Sequence, residues 1–350
     1  MSDDDAGRSA TRTDWKVVGK RTLAEFTGDK GTDLAAALTY YSMMSIFPMI
    51  LAISTSLSFI GQGDATNQAI SDLGSDLGMR DSTIATVQDY LSSMSGAGGA
   101  GVLLVIGLLG SLWSASNYVN AFSRMMNTVY AIDEGRPVWK LRPWLLALTV
   151  LVMLLLMTIV LSVTLSGTLS EAIFGAVGLS GTATLVWNIA KWPVILVILM
   201  TIVGLLYWGT PNVRATFRWL SPGAILGVLV SILAGAGFFL YAMNAGSYNA
   251  TYGALGGVII LLLMVWLINT ALVLGAELDA EIERGRELAA GMAAEEEILL
   301  PPRDVEGTHK KEAKQAEVVR EARETRMQAA ADLEAAGEET GLEGREPSRH

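Results

Sequence analysis

Four polar residues spaced along one helical face form the group in this sequence best suited to binding chemistry. Asn117, Asn120, Arg124 and Asn127 are separated by three, four and three residues, and this spacing places them on the same side of a helix. Such a line of polar side chains is costly against lipid, so it should face protein or a wet cavity. Arg124 could bind a phosphate or carboxylate, or the line could only pack the membrane boundary, where helix ends carry polar residues.

The composition indicates that lipid surrounds the elements that position these residues. Hydrophobic residues make up 51% of the 350-residue chain and charged residues 17%, whereas soluble domains carry about 25% charged residues. A helix crosses a bilayer with about 20 apolar residues. Six stretches meet that requirement: 34–60, 99–119, 143–167, 187–208, 221–243 and 253–276.

The charges of the connecting segments predict the orientation of these spans. Residues 61–98 hold one basic residue and five acidic ones, whereas 120–142 hold four basic residues and 209–220 hold two. Short connections rich in Lys and Arg stay in the cytoplasm. The sequence therefore predicts an all-α, polytopic membrane protein with six transmembrane helices and both termini cytoplasmic.

Three regions follow from this topology. Residues 1–33 are expected to form a cytoplasmic arm with an interfacial helix from Trp15 onward, and residues 34–284 the transmembrane domain, with 61–98 as its outer loop. Residues 285–350 form an acidic, partly disordered cytoplasmic tail, although 310–336 could form a solvated helix held by charge pairs. The net charge of −10 argues against nucleic-acid binding, which needs a basic surface.

Two further polar groups are candidates for a transport path. The first span carries Tyr40, Tyr41 and Ser45 just before Pro48, which should kink the helix. Broken helices mark binding sites in transporters. Tyr241, Asn244, Tyr248, Asn249 and Tyr252 could form an uncharged gate on the outer side, or only a turn whose Asn and Gly residues fill special backbone positions.

Small residues recur every four positions in the last two spans. Gly223, Gly227 and Gly235 in the fifth span, and Gly253 with Gly257 at the start of the sixth, favour close approach of another helix. Plain helix packing is the first interpretation, and sliding of the fifth helix is the alternative.

Several kinds of catalysis are excluded by residue types. The chain has no cysteine, and its two histidines are His309 and His350, so the apolar body cannot hold a thiolate site, a histidine-ligated zinc site or a Ser–His–Asp triad. We expect no cofactor and no metal. Glu277 is the acid nearest the membrane in the helical body, and we expect it to form an ion pair with Arg124, Arg142 or Arg218, or to lie among lipid headgroups.

Six segments, in order along the chain, resemble the YihY/virulence factor BrkB membrane proteins, often labelled ribonuclease BN. They are AAALTYYSMMSIFP (35–48), WSASNYVNAFSRMMNTVYAIDEGRP (113–137), YWGTPN (207–212), RWLSPG (218–223), YAMNAGSYNATYGALG (241–256) and GAELDAEIE (275–283). The resemblance implies a bacterial inner-membrane protein with six helices. It does not carry the ribonuclease label over, because phosphodiester hydrolysis needs a metal cluster or an acid/base pair, and residues 34–284 contain no histidine.

Three functions remain as hypotheses. The favoured one is a transporter or flippase-like protein for an anionic or polar-headed molecule, with membrane lipids and an unidentified substrate as partners. The alternative is a non-catalytic scaffold that recruits partners through its acidic tail, and an enzyme acting on lipids is the least favoured. Whether the chain forms a homo-oligomer stays open.

Overall fold

The computed structural model describes residues 15–59, 71, 84–85, 88–89, 100–164, 181–244 and 254–335. Within these ranges, the side chains of 46–59 and of some positions near the ends of other helices are not described. The terminal arm 1–14, most of the predicted outer loop 61–98 and residues 336–350 lie outside the described residues.

Helices are the regular secondary structure of the described part of the chain; irregular segments join them, and one isolated β-bridge pairs Val213 with Pro302. The prediction of an all-helical chain is confirmed there. Its helices are α1 (Trp15–Gly28), α2 (Gly31–Phe59), α3 (Ala100–Val129), α4 (Val138–Thr164), α5 (Gly181–Gly209), α6 (Pro222–Asn244), α7 (Ala254–Ala289) and α8 (Glu306–Ala335).

Three described helices contain segments long and apolar enough to cross a membrane: Val138–Val160 in α4, Leu185–Gly209 in α5 and Val258–Ala289 in α7. Pro222–Phe238 in α6 is a shorter apolar helix. The two remaining predicted spans, 34–60 and 99–119, lie on α2 and α3, whose side chains are described only in part. The structure therefore supports the general part of the prediction, an all-helical chain with several apolar helices, but not the count of six spans.

The six long helices α2 to α7 form a closed ring. Each packs against the next along the chain, and α7 closes the ring by packing against α2. Contacts of α3 with α5 and with α7 cross the interior, and α1 packs outside the ring against α7. The ring encloses a core that includes Leu38, Phe122, Met126, Leu145 and Val273.

Hydrogen bonds near the helix ends show that neighbouring helices alternate in direction. Trp144 Nε1, near the start of α4, donates to Gly209 O at the end of α5, and Gly223 N at the start of α6 donates to Asp279 in the last part of α7. The starts of α2, α4 and α6 and the ends of α3, α5 and α7 therefore share one end of the bundle, which we call the basal end.

The outer surface of the ring is apolar. Leu154, Ile189, Leu233 and Leu240, on three different helices, each expose more than half of their surface, whereas polar side chains such as Asn269 and Thr149 are buried inside. Exposed apolar surface of this extent is unfavourable in water and suits contact with lipid. This distribution matches the membrane setting inferred from the composition.

Local sequence sets the ends of two basal elements. Ser221 caps α6, because its hydroxyl accepts the N–H of Ala224, and Pro222 occupies the first helical position, where a missing N–H costs nothing. At the end of α7, Gly291 adopts a positive φ of 77° and Met292 N donates to Glu287 O. This is a Schellman ending, in which glycine adopts the left-handed conformation without steric cost.

Candidate functional site

A central cavity of about 500 Å³ lies inside the ring, and all six ring helices contribute to its wall. Its volume falls within the range of small-molecule binding sites, about 300–1,000 Å³. The wall is mostly Leu, Ile, Val and Met, interrupted by hydroxyl-bearing residues: Ser42, Ser45, Ser111, Tyr118, Thr149 and Ser231. No charged residue is among the described residues that line it.

Three of the wall hydroxyls donate to backbone carbonyls, and that of Tyr118 donates to the side chain of Asn269. Ser42 and Ser45 donate to the carbonyls of Leu38 and Tyr41, four residues earlier in α2. Thr149 does the same to Leu145 in α4. Because these donors are already used, the wall can accept weak polar contacts but cannot neutralise an anion, so the cavity suits an apolar group.

Asn269 joins three helices beside this cavity. Its side chain is 2% exposed; its Nδ2 donates to Thr39 Oγ1 of α2 at 3.1 Å, and its Oδ1 accepts the hydroxyl of Tyr118 of α3 at 3.0 Å. A weaker 3.5 Å contact reaches Ser42. The carboxamide therefore satisfies both of its ends with partners from α2 and α3, which stabilises a polar site away from water.

The polar stripe on α3 does not line the cavity. Asn117 and Asn120 are half-buried, Arg124 is exposed and Asn127 is buried, and none of the four is among the described wall residues. Arg124 lies with its guanidinium carbon 5.7 Å from the centre of the Tyr41 ring, a cation–π distance. The structure thus brings Arg124 and Tyr41 together on the outside of the ring and sends Asn127 into the basal end.

Asn127 belongs to a buried polar cluster that we call the basal network: Ser123, Asn127, Glu134, Arg136, Thr210 and Asn212. The Arg136 guanidinium donates to Glu134, to Ser123 Oγ and to Thr210 O. Asn127 donates to Glu134 Oε2 at 3.0 Å and accepts the backbone N–H of Asn212 at 2.8 Å. The network therefore connects the α3–α4 loop to the segment that follows α5.

The charge state of Glu134 follows from this arrangement. Burial raises the pKa of its carboxyl, but the hydrogen bonds and the charge of Arg136, together with the hydrogen bond from Asn127, outweigh that effect. They hold the pKa of Glu134 below its ordinary value. Glu134 is therefore ionised and paired at neutral pH.

Residues 290–305, which we call the strap, cross the basal end beneath this network. Asn212 Nδ2 donates to Asp133 O and Asp304 O, both at 3.0 Å, and Arg303 Nε donates to Val213 O at 2.8 Å. Lys140 pairs with Asp304 at 2.7 Å. Sequence reasoning assigned these residues to an acidic tail, whereas the strap ties the end of α7 to the second of the two basal loops (130–137 and 210–221) and, through Lys140, to the start of α4.

The remaining first-span and gate candidates are placed unevenly. Tyr40 is exposed, and its ring packs edge-on against Tyr41 with centroids 5.2 Å apart, while Ser45 lines the cavity. Pro48 lies within α2, and Tyr241 and Asn244 lie in the last turn of α6, but the side chains of all three are outside the described residues. Tyr248, Asn249 and Tyr252 lie outside the described residues altogether.

Three of the small residues lie in described packing environments. A Cβ added to Gly223 would collide with Gly275 O and the Asp279 carboxyl group, and one added to Gly227 would lie 3.1 Å from the Tyr207 hydroxyl. A Cβ at Gly235 would meet nothing within 4 Å. Among the glycines whose surroundings are described, the close approach of α6 and α7 is therefore found in the basal halves of the two helices. Gly253 lies outside the described residues, and the side-chain surroundings of Gly257 are not described.

Glu277 lies in α7 and is 1% exposed. Its Oε1 has no hydrogen-bond partner within the described part of the chain. None of the salt bridges among the described residues involves it, whereas Arg218, one of its expected partners, lies 3.5 Å from Glu283. Arg142 and Arg124 are likewise absent from the ion pairs of the described residues.

Sequence reasoning missed residues that connect distant elements, both at the basal end and beside the cavity. Asn212, Asn269, Asp279 and Arg303 each bond to a residue distant in the chain. One signal could have identified Asn269, because a polar residue inside an apolar span is expected to face the interior of the bundle and to bond to another helix. For metal binding, no group of three or more His, Asp or Glu side chains in the described residues is arranged to hold an ion.

The family model of virulence factor BrkB matches residues 22–297, which include all six ring helices. The match covers more than three quarters of the chain. The chain belongs to the virulence factor BrkB family. It is therefore a membrane protein of a family whose relatives include proteins named UPF0761 membrane protein.

Individual relatives are distant in sequence. The ribonuclease-like protein YfkH of Bacillus subtilis (strain 168) is 24% identical over 269 residues, covering 77% of this chain and 96% of the relative. A UPF0761 membrane protein of Xanthomonas campestris pv. campestris (strain B100) is 24% identical over 81% of this chain, and one of Alkalilimnicola ehrlichii is 27% identical over 76%. The matches span only 63% and 59% of those two longer relatives. No solved structure matches this chain.

Proposed function

We propose that this BrkB-family protein is a six-pass protein of the bacterial inner membrane, with both termini in the cytoplasm. We propose further that it acts as a transporter or flippase-like protein for a polar-headed, lipid-like molecule. The central cavity carries the proposal. It is large enough for a small molecule, receives wall residues from all six ring helices and has an apolar wall. The apolar part of the substrate would occupy this cavity.

The polar or anionic head would need a partner outside the cavity wall. Arg124 is the candidate, because it is exposed on α3 beside Tyr41 and a guanidinium binds phosphate or carboxylate with two parallel hydrogen bonds. The proposal differs from the sequence-based hypothesis in one respect. The apolar and polar parts of the substrate use different surfaces of the ring, rather than one polar hollow.

Reconstitution into lipid vesicles tests the proposed activity. The rate at which a fluorescent phospholipid crosses the bilayer would be measured for the wild type, for Ala115→Trp, which fills the cavity from α3, and for the control Leu233→Trp on the exposed outer face. We expect the cavity variant to lose most of the activity and the control to retain it. Equal rates for wild-type and protein-free vesicles, or for both variants, would contradict the proposal.

A second assay separates binding of the head from filling of the cavity. Arg124→Gln should slow movement of an anionic phospholipid more than movement of a zwitterionic one, with the amount of folded protein in the membrane unchanged. An equal reduction for both lipids would assign Arg124 a structural role.

Single cysteines test the proposed topology, because the chain has none of its own. Ser75→Cys, in the predicted outer loop, should react with an impermeant thiol reagent in intact cells from which the outer membrane has been removed. Thr216→Cys, exposed at the basal end, should react only after the inner membrane is opened. The reverse pattern would invert the orientation.

The scaffold function is kept as a second candidate because of α8. Every residue from 309 to 332 is exposed, so this helix presents a long charged surface to partners without contributing to the ring. We propose no enzymatic activity. The proposal is supported by the absence of histidine from residues 34–284, although the Bacillus relative carries a ribonuclease-like name.

A further inference from the structure

The seam between α1 and α7 buries several charged side chains. Arg21 Nε of α1 donates to Glu281 Oε2 at 3.0 Å, and Arg284 Nε lies 2.8 Å from Glu281 Oε1, an ion pair without hydrogen-bond geometry at that nitrogen. Arg284 also lies 3.5 Å from Glu25. Both guanidinium groups of the seam are therefore engaged with Glu281 and Glu25.

Glu277 lies one helical turn before Glu281, deeper in the bundle. It is 1% exposed, and its Oε1 is buried with no hydrogen-bond partner in the described part of the chain. The charges acting on it are those of Asp29, Glu25 and Glu281, which disfavour its anion, and that of Arg284, which favours it. The seam thus holds four carboxyl groups against two guanidinium groups, with Glu277 the most buried of the four.

Elementary electrostatics limits what this arrangement can contain. A buried carboxylate without a partner is strongly destabilising, and the three neighbouring carboxylates make it more so. The charge must be neutralised by a bound cation or removed by a proton. The described residues offer no group of three or more carboxylate or imidazole donors with metal-binding geometry, which leaves the proton as the species that fits.

We propose that Glu277 is a binding site for one exchangeable proton, and that Asp29 and Glu25 provide its path to water. Asp29 is partly exposed, and the Glu25 side chain is 37% exposed, so the path leads from a buried acid to an accessible one. The proposal rests on the seam alone and does not require transport activity.

Asp29 is suited to the intermediate position. Burial raises the pKa of its carboxyl and the charge of Glu25 raises it further, whereas the charge of Arg284 lowers it. The pKa of Asp29 therefore lies above the ordinary value of an aspartate. Asp29 can therefore hold a proton at a higher pH than a free aspartate does.

Glu277 lies close to the central cavity along α7, so a proton bound there can affect the ring. Leu272 lines the central cavity and precedes Glu277 by five residues, about 7.5 Å along the axis of α7. Binding or loss of a proton therefore changes the charge on α7 just below the cavity. If the proposed transport function holds, Glu277 is the group that would couple it to a proton gradient.

Thermal unfolding of the purified full-length protein tests the proposal between about pH 5 and pH 9. The wild type should lose stability as the pH rises and the buried acid is forced to ionise. Glu277→Gln removes the ionisable group while keeping its shape, so its Tm should exceed that of the wild type by about 2–4 °C at the alkaline end. Glu283→Gln, beside Arg286 on the same helix, is the matched control and should keep the wild-type pH profile.

Infrared spectroscopy provides a readout independent of stability. The wild type should show the carbonyl-stretch band of a protonated carboxylic acid, shifted by solvent deuteration and absent from Glu277→Gln. A band that persists in the variant would overturn the proposal, as would a variant less stable than the wild type at every pH. Recovery of alkaline stability by Na⁺ but not by choline at equal ionic strength would assign the site to a metal cation instead.

Discussion

Asn269 illustrates how one buried polar side chain can hold several apolar helices in register. It bonds to Tyr118 of α3 and Thr39 of α2 from its position on α7. Hydrophobic burial cannot supply this specificity inside a membrane, because lipid tails are as apolar as the side chains they replace. Directional hydrogen bonds between helices therefore help to define the packing.

The first prediction concerns this residue. Asn269→Leu should lower the free energy of unfolding by about 1–2 kcal/mol, because the Tyr118 hydroxyl and Thr39 lose their shared partner. Thermal unfolding in detergent measures the change. Thr158→Val, which removes an exposed hydroxyl bonded only within α4, should have a much smaller effect, and equal losses would contradict the assigned role.

The second prediction concerns the pH dependence contributed by Glu134. Because its pKa is lowered in the folded protein, its ion pair stabilises the fold above the ordinary value of 4.5, and this contribution is lost as the pH falls through the lower folded value. Glu134→Gln should therefore reduce stability at neutral pH, by about 1–3 kcal/mol, and flatten the decline in acid. Glu312→Gln on the exposed α8 should follow the wild-type acid profile.

The stripe on α3 shows what residue spacing can and cannot predict. Helical spacing put Asn117, Asn120, Arg124 and Asn127 on one side of α3, but it could not say which neighbours that side would meet. Asn127 pairs with Glu134 and Asn212, and the second partner follows α5, far along the chain. Contacts of that kind depend on how the helices assemble, and a single sequence does not encode them in any local pattern.

At the scale of elements, hydropathy was a good guide to helices and a poor guide to where they end. The sixth predicted span stopped at residue 276, but α7 continues to Ala289. Its last part is buried by α1 and the strap rather than by lipid, as the buried side chains of Ala280, Ile282 and Arg284 indicate. Apolar content identifies the part of a helix that faces lipid. It does not detect a further part whose charged residues are buried by protein.

The third prediction concerns the packing of α6 against α7. Gly223→Ala and Gly275→Ala should each prevent the close approach of the two helices, because the added Cβ collides with the backbone of the facing helix and also with the side chain of Asp279 or Tyr207, respectively. A loss of about 2–4 kcal/mol, or of folded protein, is expected. Gly235→Ala is the matched control, since its Cβ would meet nothing within 4 Å, and helix propensity makes it neutral or stabilising.

At the scale of the whole molecule, the strap and α8 divide the C-terminal region into two parts with different roles. Residues 290–305 bond to the α5–α6 loop, to the start of α4 and to α1, for example through Arg303 to Val213, Asp304 to Lys140 and Glu295 to Arg21. From 309 to 332 the chain is exposed throughout. A single deletion of 290–350 would therefore confuse loss of the fold with loss of a recruiting surface.

The fourth prediction separates these two roles. A chain that stops after Lys311 should reach the membrane and remain monodisperse in detergent, because it retains the strap, whereas one that stops after Ala289 should not. Comparable membrane levels for both truncations would show that the strap contributes little. If transport activity survives the shorter deletion, the scaffold function loses its main support.

The strap also determines when the contacts at the basal end can form during synthesis of the chain. Asn212, in the second basal loop, bonds to Asp304, which is synthesised after all six ring helices, so its side chain stays partly unsatisfied until translation has passed that residue. During insertion the nascent ring therefore lacks the strap across its basal end. A ribosome stalled before that point should leave an intermediate that is more sensitive to protease at the basal loops than the finished protein.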